Sequence, residues 1–176
     1  PLAERIGMQE FKSELEDLAF AELNPDARES ITSRLKFLRS EGRDNVDVIV
    51  AELRETLEEQ TIKAEVYGRA KLPYSIWLKS QKKNISFEQV SDIIAFRIIV
   101  DTVDECYRAL GIIHSNYMMV PGRFKDYIST PKLNGYQSLH TGIIGPERQR
   151  IEVQIRAKRM HETAEMGVAA HWQYKQ

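Results

Sequence analysis

Eight consecutive residues, Ile93-Ile-Ala-Phe-Arg-Ile-Ile-Val100, are apolar except for Arg97. The run is far shorter than the roughly 20 residues of a membrane-spanning helix, and too continuously apolar for a strand with one face in water. It reads as a central strand covered on both faces, which obliges the rest of the chain to supply flanking strands and packing layers. Ile62, Ala64 and Val66 alternate with Lys63, Glu65 and Tyr67, predicting a half-buried strand that ends at Gly68-Arg69. Two further strands, 138–144 and 150–156, are joined through Gly145-Pro146 and predict a hairpin.

Helical signals fill the intervals. Pro73–Lys83 predicts a basic helix with Ile76 and Trp77 inward, and Ser86-Phe-Glu-Gln89 and Thr102-Val-Asp-Glu105 are capping-box patterns, the second helix ending near Gly111. A last helix is expected over 158–174, and 118–135 reads as a long loop. In the first third, Met8, Phe11, Leu15 and Leu18 recur at helical spacing. Asn24-Pro25 starts a second helix with Ile31, Leu35 and Leu38, stopping near Gly42; Asp44 or Asn45 caps a third with Val46, Ile49, Val50, Leu53 and Leu57. The expected class is α/β of the α+β type, a mixed sheet of about five strands flanked by helices, behind a helical connector.

Charge divides the 176 residues unevenly: 1–60 hold 8 basic and 15 acidic side chains, whereas 61–176 hold 17 and 11. Arg69, Lys71, Lys79, Lys82 and Lys83 fall within an acid-free stretch, and Arg148, Arg150, Arg156, Lys158 and Arg159 cluster with Glu152 alone among them. Such clusters suit an anionic ligand; a solvated basic face is the plainer reading. The acidic helices masking the basic half is a further expectation from the same split. A single cysteine, Cys106, excludes an intrachain disulfide and a cysteine-rich zinc site, and reads as a small core residue. With no secretory or membrane-spanning pattern, the expected compartment is the cytoplasm, and no membrane partner is expected.

In 150–156, Ile151, Val153 and Ile155 share one face while Arg150, Glu152, Gln154 and Arg156 share the other. That second face is either a polar platform or the wet side of an edge strand. Asp92, at the mouth of the apolar strand, needs a partner. It either pairs with Arg97 or joins Glu152 in holding a hard cation such as Mg²⁺. The chain contains neither a P-loop nor a dinucleotide-binding turn, so phosphates must be gripped by side chains, for which Arg69, Lys71, Ser75 and Lys79 are placed. In Lys132-Leu-Asn-Gly-Tyr-Gln-Ser-Leu-His140, Tyr136 is a stacking candidate among polar neighbours, or merely packing after a turn. His114, His161 and His171 lack metal-ligand spacing and read as structural, while Trp77 and Trp172 read as core anchors.

Seven collinear segments resemble the synthetase domain of the RelA/SpoT homologues. They are Tyr67-Gly-Arg-Ala-Lys71, Tyr74-Ser-Ile-Trp77, Asp92-Ile-Ile-Ala-Phe-Arg97, Val120-Pro-Gly-Arg-Phe-Lys-Asp-Tyr127, Pro131 through Thr141, Ile151-Glu-Val-Gln-Ile-Arg156 and Met160 through Trp172. The resemblance covers about 62–175 and implies a nucleotidyltransferase-like sheet. It also implies a Mg²⁺-dependent pyrophosphokinase that moves the β,γ-diphosphate of ATP to the 3′-hydroxyl of GDP or GTP, making the alarmones ppGpp or pppGpp plus AMP.

By motif, the resemblance assigns Arg69, Lys71, Ser75 and Lys79 to ATP, and Asp92 and Glu152 to the metal, with Glu152 also helping to activate the hydroxyl. It assigns Tyr136 to stacking on guanine, and Lys125, Lys132, Asn134, His140 and Gln154 to the acceptor side. Arg123-Phe-Lys-Asp126 resembles the basic loop version of bifunctional members. The implied parent therefore carries a hydrolase domain and C-terminal regulatory domains, with the ribosome a possible partner. Residues 1–60 are then the connector from the hydrolase and 61–176 the synthetase domain, with no hydrolase activity of its own. The chain departs from the pattern at Ala70, Leu72-Pro73 and Leu133, none of them a charged position. Two other classes stand beside this one: a nucleotide-binding fragment inactive without its neighbouring domains, and an RNA-binding domain using the basic half and its aromatics.

Overall fold

A computed structural model describes residues 8–40, 46–84, 94–145, 148 and 150–166. Its strands are β1 Glu65–Ala70, β2 Ile94–Val100, β3 Met118–Met119, β4 Lys125–Asp126, β5 Leu139–Ile144 and β6 Arg150–Ala157. They form one sheet in the order β1-β2-β6-β5-β3, with β4 also paired to β5. Its helices are α1 Gln9–Leu23, α2 Pro25–Ser40, α3 Val46–Glu58, α4 Pro73–Lys83, α5 Val103–Asn116 and α6 Lys158–Met166. The expected mixed sheet is present: β2 runs antiparallel to β1 and parallel to β6, and β5 and β6 form the expected hairpin.

β2 is an interior strand, between β1 and β6, buried from Ala95 to Val100. Phe96, Ile98 and Val100 join Leu139, Ile143, Val153 and Ile155 in a layer covered by Ile49, Leu53 and Leu57 of α3 and by Cys106, Ala109 and Ile113 of α5. Each of the Phe, Leu, Ile and Val side chains in this layer contributes about 1.5–3 kcal/mol on burial. The opposite face of β2 carries Arg97, which α6 covers by an ion pair from Glu165 at 3.0 Å. Among the described residues Glu165 is thus a partner of Arg97, while Asp92 lies outside them.

Three expectations change in detail. β1 begins at Glu65 and runs through Gly68-Arg69, because Ile62 is spent ending α3: its N–H donates to Leu57 O at 3.0 Å and its side chain is fully buried. α5 does not stop at Gly111 but continues to Asn116, because Ile113 extends the buried stripe of Cys106 and Ala109. The segment 118–135 is more than a loop, since β3 and β4 satisfy the edge of β5 through Met118↔Ile144 and Lys125↔His140.

A second cluster joins α1, α2 and α4 through Phe20, Ile31 and Ile76, with Trp77 5.1 Å from the Phe20 ring. Pro73 occupies the first turn of α4 without disturbing it, but Leu72 offers no capping side chain. Asp17 of α1 supplies the acceptor instead, taking the Tyr74 N–H at 3.0 Å and Arg28 Nη2 at 2.8 Å. The spacing that marks α1 as a helix is not its packing face, for Phe11, Leu15 and Leu18 are exposed. The expected caps at Asp44, Asn45 and Ser86, the stop at Gly42, and His171, Trp172 and the end of the last helix lie outside the described residues. No described helix is long and apolar enough to cross a membrane.

The capping box of α5 is made as expected, with Thr102 Oγ1 accepting from Glu105 N at 3.2 Å and Glu105 Oε2 from Thr102 N at 2.9 Å. Thr102→Ala is expected to lower unfolding free energy by about 1 kcal/mol in urea titrations. Burial, with Glu105 adding to it, pushes the Cys106 thiol up to about 12. The native chain should therefore resist iodoacetamide at pH 8, with labelling appearing only as denaturant unfolds it; rapid native labelling would contradict the packing of α5.

Candidate active site

The strand register builds the site before any loop is considered. Because β2 and β6 are parallel with Ala95 opposite Glu152 and Arg97 opposite Gln154, alternate residues of five strands share one face. One row across the sheet reads Arg69, Ala95, Glu152, Gly142, and the next reads Tyr67, Arg97, Gln154, His140, Lys125. The alternation in 150–156 therefore makes a polar platform inside a sheet, not the wet side of an edge.

Over that platform lies a cavity of about 620 Å³ lined by Lys71, Lys79, Arg123, Lys125, Lys132 and Arg150, with His140, Tyr127 and Glu152. Glu152 is its one acidic lining residue among the described residues. Glu152 Oε2 lies 2.8 Å from Lys71 Nζ, and Oε1 accepts from Gln154 Nε2 at 2.9 Å. Burial alone would raise this carboxyl; the charge and hydrogen bond of Lys71, with Gln154 and His140, outweigh it and hold the group below the usual carboxylate range. His140 is driven the other way. Burial lowers it to about 4, with Arg156, Lys132 and Lys71 adding to the fall against the pull of Glu152, so the imidazole is neutral at neutral pH.

A smaller cavity of about 140 Å³ adjoins on the β1 side, lined by Arg69, Lys71, Ser75, Arg97, Gln154 and Ser13 of α1. Lys71 lines both cavities. Of the residues singled out for ATP, Arg69 and Ser75 thus face the smaller space, Lys79 the larger, and Lys71 both. On the acceptor side, Lys125, Lys132 and His140 line the larger cavity. Tyr136 stands behind them, its hydroxyl 2.8 Å from His140 Nε2, with Lys132 Nζ 4.8 Å from its ring centroid. Asn134 lines neither cavity and instead holds the turn, accepting the Tyr136 N–H at 3.2 Å. Asp92 lies outside the described residues.

Sequence reasoning passed over Arg123, Tyr127, Arg150 and Arg97 as lining residues. Arg123 and Tyr127 sit in a quoted motif, but nothing local in the sequence shows that the turn carrying them folds back over β5. Gly142 is what admits it. Val120 N donates to Gly142 O at 2.8 Å, and a Cβ on Gly142 would stand 2.8 Å from Arg123 Cβ. His114 is structural, bonded to Thr141 Oγ1 at 2.8 Å beneath the sheet.

Among the described residues no three His, Cys, Asp or Glu side chains cluster as a metal cage. Glu152, the one carboxylate among the described lining residues, is the group there that could ligate Mg²⁺, which takes one or two carboxylates and completes its shell from water and substrate phosphates.

Comparison with known proteins identifies the family. The family described as a region found in RelA and SpoT proteins matches residues 68–176. A GTP pyrophosphokinase of Brucella melitensis is 57% identical over 175 residues, and one of Escherichia coli 47% identical over 176. The chain is covered to 99% and 100%, but spans only 23% and 24% of those two proteins. Among solved structures, the small alarmone synthetase 1 of Bacillus subtilis bound to its product pppGpp superposes with TM-score 0.60 at 26% identity, covering 82% of each chain. The small alarmone synthetase 2 of the same organism gives 0.57 at 27%, covering 76% of each. A family match over residues 68–176, more than half of the chain, makes this chain a member of the RelA/SpoT family.

Proposed function

We propose that the chain transfers the β,γ-diphosphate of ATP to the ribose 3′-hydroxyl of GDP or GTP, making ppGpp or pppGpp and AMP. The observation that carries this reading is one ionised carboxylate, Glu152, in a cavity with six cationic side chains. Two polyphosphates repel each other, and a cationic wall is what brings them within reaction distance. The names of the relatives, GTP pyrophosphokinase and a synthetase holding pppGpp, support the same chemistry.

In the reaction, the 3′-oxygen forms a bond to the β-phosphorus of ATP while the bond from that phosphorus to the α,β-bridging oxygen breaks. AMP leaves with the bridging oxygen. Glu152 accepts the hydroxyl proton, a role that suits a carboxylate held ionised by Lys71. Arg69, Lys71, Ser75 and Lys79 hold ATP, with Lys71 at the junction of donor and acceptor spaces. Lys125, Lys132 and His140 hold the acceptor in the larger cavity, while Gln154, which lines the smaller one, serves the acceptor side through its hydrogen bond to Glu152. Asn134 fixes the turn before Tyr136, and Tyr136 stacks on guanine. Asp92 and Glu152 would hold Mg²⁺, which would neutralise charge on the transferred phosphates.

The same reading gives residues 61–176 the synthetase role and 1–60 that of a connector, in a longer cytoplasmic parent with hydrolase and regulatory domains and the ribosome as a partner. The short span of the curated relatives covered by the chain supports a longer parent.

Purified chain incubated with Mg²⁺, ATP and GDP should yield AMP and a more highly phosphorylated guanosine nucleotide in equal amounts on anion-exchange chromatography. Glu152→Gln is expected to cut turnover by about a thousand-fold while calorimetric GDP affinity stays within a few-fold. An unchanged rate overturns the assignment of Glu152. Nucleotide binding without any turnover by the unaltered chain favours a fragment that depends on its missing domains.

A further inference from the structure

Arg156 has no part in the roles above, yet its environment is unusual. It is 3% exposed on β6, and among the described residues its Nε and Nη1 have no hydrogen-bond partner. Nη2 donates to the Tyr136 hydroxyl oxygen and, at 3.3 Å, to Gln154 Oε1. The guanidinium carbon lies 4.9 Å from the Tyr136 ring centroid. Burial lowers the Arg156 pKa, the Tyr136 contacts oppose that most, and Glu165 adds a smaller attraction, with no ion pair to Arg156 among those of the described residues. Most of its compensation comes from one tyrosine, through both the ring and the hydroxyl.

That contact decides how Tyr136 sits. Arginine only donates, so the phenol oxygen accepts from Nη2 and its own proton goes to His140 Nε2, 2.8 Å away. The ring is then fixed by Arg156, by the His140 ring at 5.8 Å and 83°, and by the Tyr127 ring at 6.0 Å and 70°. Lys132, also over the ring, is exposed and on a turn, and is the contact a stacking base displaces. Arg156 is buried and stays.

We propose that Arg156 is a positioning residue for the acceptor nucleotide, holding Tyr136 in the orientation against which guanine stacks. This rests on the stacking role given to Tyr136 above. The test is calorimetric affinity of the intact chain for GDP and, separately, for ATP, which needs no turnover. Arg156→Met and Tyr136→Phe are each expected to weaken GDP binding by about ten-fold, the scale of one lost charge-assisted hydrogen bond. ATP affinity should stay within two-fold, Arg156→Lys should recover part of the loss, and the double variant should bind no worse than the weaker single one.

A folded Arg156→Met with unchanged GDP affinity overturns the proposal, as do equal losses for both nucleotides or effects that multiply in the double variant. Should Arg156→Met fail to fold, Tyr136→Phe decides alone: it keeps the ring and removes the acceptor, and unchanged GDP affinity overturns the proposal. Tyr136→Ala reports on stacking itself, so GDP affinity unaltered by that change refutes the stacking role and not merely its support.

Discussion

The parallel pairing of β2 with β6 is the constraint on which the rest depends. Its register places Phe96 by Val153 and Ile98 by Ile155 on the face under α3 and α5. The same register places Ala95 by Glu152 and Arg97 by Gln154 on the other face. Side chains alternate along a strand, so a slip of one residue would carry Glu152 into the apolar layer and Val153 into the cavity. The energy that fixes the core therefore also fixes the site. A parallel pair cannot be closed by a tight turn, and the long connection from β2 to β6 is where α5 and the cavity-lining turns are inserted.

Within that frame, Lys71 and Glu152 are better understood by what they prevent than by what they add to stability. A partly buried ion pair contributes little net folding energy, but removing one partner strands the other. Lys71 holds the Glu152 carboxyl down against the burial that raises it. An ionised carboxylate among cations is a proton acceptor and a hard-metal ligand, whereas a protonated one is neither. The excess of cations leaves the empty cavity repulsive to itself, which favours an anionic occupant.

The sequence was most legible where one pattern had one physical cause. The apolar run at 93–100 gave a buried strand, the alternation at 150–156 gave a two-faced strand, and Thr102 with Glu105 gave a cap, each dictated by neighbours in the chain. It was least legible where the cause lay far away. Nothing near Gly111 says that Ile113 has a core to enter, and nothing near Ile62 says that it closes α3 before β1 starts. Arg123 became a cavity residue only because Gly142, nineteen positions on, lacks a Cβ. Residues reading as a polar cluster resolved into distinct duties by depth: Lys132 exposed, His140 half-buried, Arg156 buried.

The uneven charge of the two halves takes on a different meaning once the packing is known. If the acidic helices masked the basic site, their side chains would line it, yet no described residue of 1–60 lines the larger cavity, and Ser13 alone reaches the smaller one. The acidic segment acts at a different place. Asp17 caps the N-terminus of α4 through the Tyr74 N–H, one residue before Ser75 and five before Lys79. A helix whose own N-cap residue is leucine depends on that borrowed acceptor for the order of its first turn. The connection between α1 and the two cavities thus runs through the backbone of the basic helix. Movement of α1 would be felt as a change in the placement of Ser75 and Lys79, without any acidic side chain entering the cavity.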